Sequence, residues 1–178
     1  MIAKEIRALG IRAIGLSGKD NLIYAEKKKA KIDLGYVGHI RRINNKAMLK
    51  KLKANTILVI LPMGKGEDKK IYNINADEAA ASIAGSLAAE KLVLLTNVKG
   101  ILRNPEDPHS FLSTLNIKEA KSLIEENIIQ QGMIPKVKAC IEALNKGVKK
   151  THIIDARTPH GLLLEIFTDK GIGTEIVK

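Results

Sequence analysis

The apolar and polar positions divide the chain into alternating helical and extended segments, most clearly between Tyr72 and Gly100. Residues 78–89 are an alanine-rich window of strong helix formers without proline, which predicts a helix. Leu92-Val93-Leu94-Leu95 is too short for a helix and is closed by Asn97 and Gly100, which predicts a buried strand over 91–96. A strand coming so soon after a helix predicts a βαβ unit whose parallel sheet is covered on both faces. Upstream, the pattern gives a helix over 1–9 with Ile2, Ile6 and Leu9 on one face and Gly10 as its stop. After it come a strand over 12–16, a turn over 17–20 and exposed strands over 22–29 and 36–43. Next are a helix over 44–53 with Ala47, Met48 and Leu52 inward, a buried strand over 56–61 and a turn-rich loop over 62–70. Beyond Gly100, residues 103–110 read as a surface loop, and Asn116 with Glu119 resembles a capping box for a helix over 117–127. A helix over 137–146 and a strand over 151–154 come next, and Thr158-Pro159 resembles the N-cap and first position of a last helix. This order predicts an open α/β sandwich, with a boundary near Asn73 separating a partial lobe, 1–72, from a fuller one, 73–178.

Composition changes this picture in a few places. At 178 residues the chain can build one good core, or one lobe and part of another. Aromatics make up 3%, so the core must be aliphatic. The net charge of +11 invites a nucleic-acid reading, but three Tyr and two Phe supply few stacking platforms and the basic residues are spread out. We therefore expect no nucleic-acid partner. Lys27-Lys28-Lys29, the densest run, reads as a solvated edge strand. A single cysteine, Cys140, lies in an apolar helical pattern and predicts a buried thiol in a reducing compartment. No signal-peptide pattern or apolar run of transmembrane length is present, so the expectation is a cytoplasmic protein without membrane contact.

In parallel sheets ligands gather at the carboxyl ends of strands, where Thr96-Asn97-Val98-Lys99-Gly100 falls. Ahead of the alanine-rich helix, Asn73, Asn75 and Asp77 alternate and share one side of the chain if it is extended. Asn75 or Asp77 is equally suited to capping that helix. Neither 15–20 nor 64–66 has the frame of a Walker A loop, which excludes P-loop kinases but not kinases in general. Lys136 comes after Pro135 near a helix start, where anions bind, although an isolated lysine there is more often a surface residue.

YNINADEAA and LLTNVKGIL, with GMIPKVKACIEAL and THIIDARTPHGLLLEIFTDKGIGTEI in the same order, resemble the acetylglutamate kinase branch of the amino acid kinase family. The resemblance covers nearly the whole chain. It implies a three-layer α/β/α sandwich with a mainly parallel sheet and an incomplete first lobe: an amino-acid-binding lobe, then a nucleotide-binding lobe. It implies ATP-dependent phosphorylation, with Mg²⁺, of the γ-carboxylate of N-acetyl-L-glutamate in arginine biosynthesis. A carboxylate acceptor is ionised at neutral pH, so positioning and charge neutralisation carry such a reaction. By resemblance, Lys136 stabilises the transferring phosphoryl group and Asp77 organises the catalytic cations. Asn73 and Asn75 match substrate contacts. Asn97, Val98, Lys99, Gly100, Ile101 and Leu102, with Ile128, Ile129 and Gln130, match the nucleotide-binding segments; no metal-binding residue is assigned. His152, Glu165 and Gly171 match an arginine effector site, and Glu165 could pair bidentately with a guanidinium. The plain alternative leaves His152 opening a strand and Glu165 on a helix surface.

The chain departs from the family pattern at Asn97, where aspartate is common, at Gln131, and at Ala156 in Asp155-Ala156-Arg157. The family's early lysine and glycine-rich turn, a Gly-Gly pair and a substrate arginine have no counterpart. The resemblance thus implies either a fragment or truncated gene product, inactive alone, or a homo-oligomer or partner chain supplying first-lobe elements. Two further readings are a kinase for carrier-protein-bound aminoadipate in lysine synthesis and a non-catalytic module binding arginine or nucleotide.

Overall fold

The computed structural model describes residues 1–52, 55–104, 106–168 and 171–178. It divides into two units, Met1–Leu87 and Ala88–Lys178. No helix among the described residues is long and apolar enough to cross a membrane.

The first unit contains α1 (Ile2–Ala8), β1 (Ala13–Leu16), β2 (Ile23–Lys27), β3 (Gly38–Ile43), α2 (Asn45–Leu52), β4 (Ile57–Ile60), β5 (Met63–Lys65), β6 (Ile71–Asn73) and α3 (Ala76–Ser86). β1 and β4 form a parallel pair, and a four-stranded sheet runs in the order β3-β2-β5-β6. Leu16, Leu22, Ile23 and Met48 form one core cluster, against which Ile83 and Leu87 of the α3 region pack. Ala25, Tyr72, Ile74 and Ala79 form a second. The sequence pattern groups α3 with the strand at 91–96, but the apolar face of the helix binds it into the first unit. Met63-Gly64-Lys65 is a strand where the sequence pattern gives only a loop. It fits beside β2 because Gly64 has no side chain: a Cβ there would lie 2.6 Å from that of Ala25.

Several expectations need correction in this unit. The face of α1 that turns inward carries Ala3, while Ile2 and Leu9 are exposed. β2 is flanked by β3 and β5, so Lys27 ends an interior strand and the lysine run is not an edge. Within α2, Met48 is fully buried as expected but Leu52 is exposed, and the expected helix end at Lys53 lies outside the described residues.

The second unit contains β7 (Lys91–Thr96), β8 (Ile101–Leu102), β9 (Phe111–Leu112), β10 (Thr114–Asn116), α4 (Ile117–Glu125), α5 (Met133–Asn145), β11 (Lys150–Asp155), α6 (Gly161–Phe167) and β12 (Thr174–Val177). Its sheet runs β10-β12-β11-β7, with β11 parallel to β7 and antiparallel to β12. Register places Thr151 and Ile153 beside Leu92 and Leu94, and Thr151 beside Ile176. These side chains, with Val137, Cys140, Ile141 and Leu144 of α5, are buried and make the aliphatic core. Cys140 is fully buried, as its apolar context predicts. Asn116 and Glu119 form the expected capping box: Asn116 N–H donates to Glu119 Oε2 at 2.8 Å, and Glu119 N–H donates to Asn116 Oδ1 at 3.0 Å. Thr158 does not cap α6. That helix starts at Gly161 behind His160, which is left-handed at φ 56°, and Thr158 lies in the turn before it.

Candidate functional site

In the second unit, the parallel strands β7 and β11 end side by side at Thr96 and Asp155. Thr96 is buried and ties this strand end together: its hydroxyl donates to a backbone carbonyl, with Val98 O at 2.8 Å and Ile154 O at 3.2 Å, and accepts from Val98 N–H. The Asn97-to-Gly100 turn is thereby fixed at the carboxyl end of the sheet, where α/β folds bind ligands. Gly100, at φ 150°, is required on two counts: its backbone is strained for an L side chain, and a Cβ would meet Thr174 Oγ1 at 2.5 Å and Phe111 at 2.8 Å. Fully buried Thr174 accepts from Ile101 N–H at 2.8 Å and donates to Leu112 O at 2.7 Å, holding Ile101 and Leu102 as a short strand.

Beside this loop is a pair that the sequence pattern marks only as a turn. Arg157 Nη2 lies 2.8 Å from Asp155 Oδ2, and its Nε and backbone N–H each donate to Oδ1 at 2.9 Å. The guanidinium holds the Asp155 carboxyl down at about 2, helped by the Arg157 backbone N–H and by the charge of Lys99 in the loop. Asp155 is thus an anion that orients Arg157 at the strand ends. No sequence signal marks this role, because it depends on the pairing of β7 with β11.

The other residues expected at a nucleotide site occupy separate places in the same unit. Ile128 and Ile129 close the end of α4, both N–H groups donating to Leu123 O, and Ile129 is buried while Gln130 is exposed. Lys136 is half-buried in the first turn of α5, which begins at Met133, earlier than the expected 137. Pro135 explains why the start is permitted there, since first-turn proline loses no helical hydrogen bond.

His152, Glu165 and Gly171 come together as a set. His152 Nδ1 is 2.5 Å from Glu165 Oε1, and both side chains are almost fully buried (5% and 3% exposed). Ile172 N–H and Gly173 N–H donate to Glu165 Oε2 at 2.7 and 3.1 Å. Gly171, at φ 55°, leaves no room for a side chain: a Cβ would lie 3.0 Å from Glu165 Oε1. Glu165 is therefore not a surface residue of α6. A polar cavity of about 280 Å³ opens here, lined by Lys91, Ser113, Lys150, His152, Glu165 and Glu175 among others.

The trio of the first unit behaves differently. Asn73 and Asn75 are exposed on either side of buried Ile74, as alternation predicts. Asn75 is the N-cap of α3, its Oδ1 accepting from Asp77 N–H at 3.0 Å and Glu78 N–H at 3.1 Å. Asp77 belongs to the helix, half-buried in the first turn, where a carboxylate suits the dipole. Glu78 accepts from Ile40 N–H at 3.0 Å and ties α3 to β3. Among the described residues no group of three His, Cys, Asp or Glu could hold a metal ion.

The sequence profile of the Amino acid kinase family matches residues 1–155. The chain belongs to that family. It is 53% identical to an acetylglutamate kinase from Petrotoga mobilis over 99% of this chain and 61% of that protein. It is 51% identical to an acetylglutamate kinase from Caldanaerobacter subterraneus subsp. tengcongensis over 99% of this chain and 60% of the relative. This member of the amino acid kinase family thus spans about three fifths of the length of those relatives. Among solved structures, N-acetylglutamate synthase from Neisseria gonorrhoeae, complexed with coenzyme A and L-arginine, matches with a TM-score of 0.82 at 34% identity, covering 94% of this chain and 38% of that one.

Proposed function

We propose that this chain serves the ATP-dependent phosphorylation of the γ-carboxylate of N-acetyl-L-glutamate in arginine biosynthesis, in the cytoplasm. The observation that carries the reading is the 53% identity, over 99% of the chain, to a protein named acetylglutamate kinase. The strand-end loop 97–102 and the segment 128–130 are the nucleotide contacts of this reading. Asn97 contributes a neutral amide there, which suits it to hydrogen bonding with a hydroxyl or base rather than to holding a cation. ATP, bound as the magnesium complex, supplies the phosphoryl group; the acceptor oxygen bonds to the γ-phosphorus as the β–γ bridging bond breaks. A carboxylate brings no proton, so no general base is required of the chain. Lys136, in the first turn of α5, neutralises charge on the moving group, and the N–H groups of that turn favour an anion in the same way. Asp77 organises catalytic cations, and Asn73 with the amide NH₂ of Asn75 addresses the amino-acid substrate.

A second reading concerns regulation. His152, Glu165 and Gly171 are gathered at a polar cavity, and the gonococcal synthase that resembles this chain was solved with L-arginine. We propose an arginine effector site there. A homo-oligomer or a partner chain is also proposed, supported by exposed Ile14, Ile57 and Leu61 on and beside the parallel pair β1–β4.

Trapping of acyl phosphate with hydroxylamine tests the kinase reading. The chain would be joined to the part of the Petrotoga mobilis relative that it does not match. Product with N-acetylglutamate, and none with carrier-bound aminoadipate, is expected; the opposite preference, or no product with either, overturns the reading.

A further inference from the structure

In the first unit a cavity of about 430 Å³ opens on strands β2, β3 and β5, lined by Tyr24, Arg41, Arg42, Lys65, Glu67 and Asp68 among others. None of these residues belongs to the positions assigned above to substrate, nucleotide or effector. An irregularity in strand pairing builds the cavity. β2 and β3 stay in register as far as Tyr24 with Arg42, and Ala25 then pairs with Ile40, so Arg41 is one residue extra. In a regular strand Arg41 and Arg42 would face opposite sides of the sheet. The bulge redirects them, and both line the same cavity.

Most of the charge there is already matched. Glu26 holds His39 Nε2 at 2.6 Å and Arg41 Nε at 3.2 Å. Lys27 pairs with Asp33 at 2.7 Å. Asp68 accepts from the Tyr72 hydroxyl at 2.8 Å and from Lys70 N–H at 3.1 Å. Arg42 and Lys65 are different. Both are register partners of Tyr24, one from each neighbouring strand, so two cations flank one aromatic ring, about 10 Å apart at the backbone. The Arg42 guanidinium lies over that ring, its central carbon 4.0 Å from the centroid. Stacking fixes the plane of the guanidinium and leaves its N–H edge open to an oxyanion. Among the described residues neither Arg42 nor Lys65 has an acidic partner, and Glu67 has no cationic one.

We propose that Arg42 and Lys65, on either side of Tyr24, bind the phosphate group of a small ligand. The edge of the guanidinium supplies two parallel N–H donors and the ammonium a third, which matches the oxygens of a phosphate better than the two of a carboxylate. The two positive charges offset those of a phosphate dianion. Glu67 lines the same cavity as an acceptor. It favours a phosphate monoester that carries a hydroxyl or an amine over a polyphosphate, whose extra charge it repels.

The test is ¹H–¹⁵N spectroscopy of the arginine Nε–H groups of the 178-residue chain during titration with inorganic phosphate at constant ionic strength. The Arg42 signal is assigned by its loss in Arg42→Lys. Reading that signal separates this site from phosphate held by the proposed nucleotide positions of the second unit. The expected result is a saturable shift with a Kd on the order of 1 mM, tighter for phosphoethanolamine and weaker for acetate. Lys65→Gln should weaken binding about tenfold. Lys27→Gln, the same charge change at a lysine already paired with Asp33, should alter it less than about twofold. An Arg42 signal unmoved at about ten times that phosphate concentration overturns the proposal. Acetate binding as tightly as phosphate overturns the phosphate assignment. Equal losses in the two lysine variants show a diffuse positive surface in place of a site. The wild-type titrations stand even if a variant fails to fold.

Discussion

Asp155 has a carboxyl held well below its ordinary value, and the cause is local. The Arg157 guanidinium holds it at about 2, against about 3.9 for an ordinary aspartate. A depressed carboxyl contributes stability that is present above the unfolded value and is lost as pH falls through the folded one. In Arg157→Ala the Asp155 carboxyl should titrate higher than in the wild type, part of the way back towards the ordinary value, because the backbone N–H of residue 157 and Lys99 still favour the anion. The stability gap between the two proteins should be present at neutral pH and close between about pH 4 and 2. Carboxyl NMR and urea midpoints at several pH values check both; an unmoved Asp155 titration contradicts the pairing. Gly100 is the other position where one atom decides the local structure. Gly100→Ala places a Cβ against Thr174 and Phe111 at a φ that L residues avoid, and should cost about 2 kcal/mol in urea unfolding. No change in the midpoint would show that the loop relaxes freely.

At the scale of elements, the hydrophobic pattern was readable where packing obeys it and misleading where it does not. The strand at Lys91–Thr96 and the helix at Ile117–Glu125 fall where a short apolar run, breakers and a capping box put them. α6 inverts the rule: Leu162, Leu163, Leu164, Ile166 and Phe167 are exposed, and Glu165 is its buried side chain beside buried Gly161. No periodicity could reveal that, because the carboxylate is held in by His152 and two backbone N–H groups from elsewhere in the chain. The Asp155–Arg157 pair is local in the chain, but its place beside the end of β7 depends on strand pairing. By contrast Asn73, Asn75 and Asp77 were visible as a motif, but only the structure decides that Asn75 caps α3. Asn75→Ala should therefore destabilise the chain by about 1 kcal/mol, while Asn75→Asp, which keeps an acceptor oxygen, should cost far less. Equal losses in thermal unfolding of the two variants would contradict the capping role. Substrate affinity in the same pair of variants reports separately on the amide NH₂.

For the whole molecule, membership of the amino acid kinase family and the presence of a strand-end loop bear on one claim: the chain holds nucleotide. The parts proposed to do so, 97–102, 128–130 and Lys136, all belong to the second unit, whose buried side chains are mostly aliphatic. Lys136→Ala removes one cation from the proposed phosphoryl site. In the chimaera with the relative's remaining part it should lower turnover by about 10²–10³, with a much smaller effect on nucleotide affinity; unchanged turnover would remove Lys136 from the reaction. Calorimetric titration of the 178-residue chain with magnesium ATP tests the central claim most directly. The predicted result is one-to-one binding with a Kd on the order of 1 mM or tighter, weakened in Gly100→Ala. A folded chain that takes up no heat at about ten times that nucleotide concentration would contradict it.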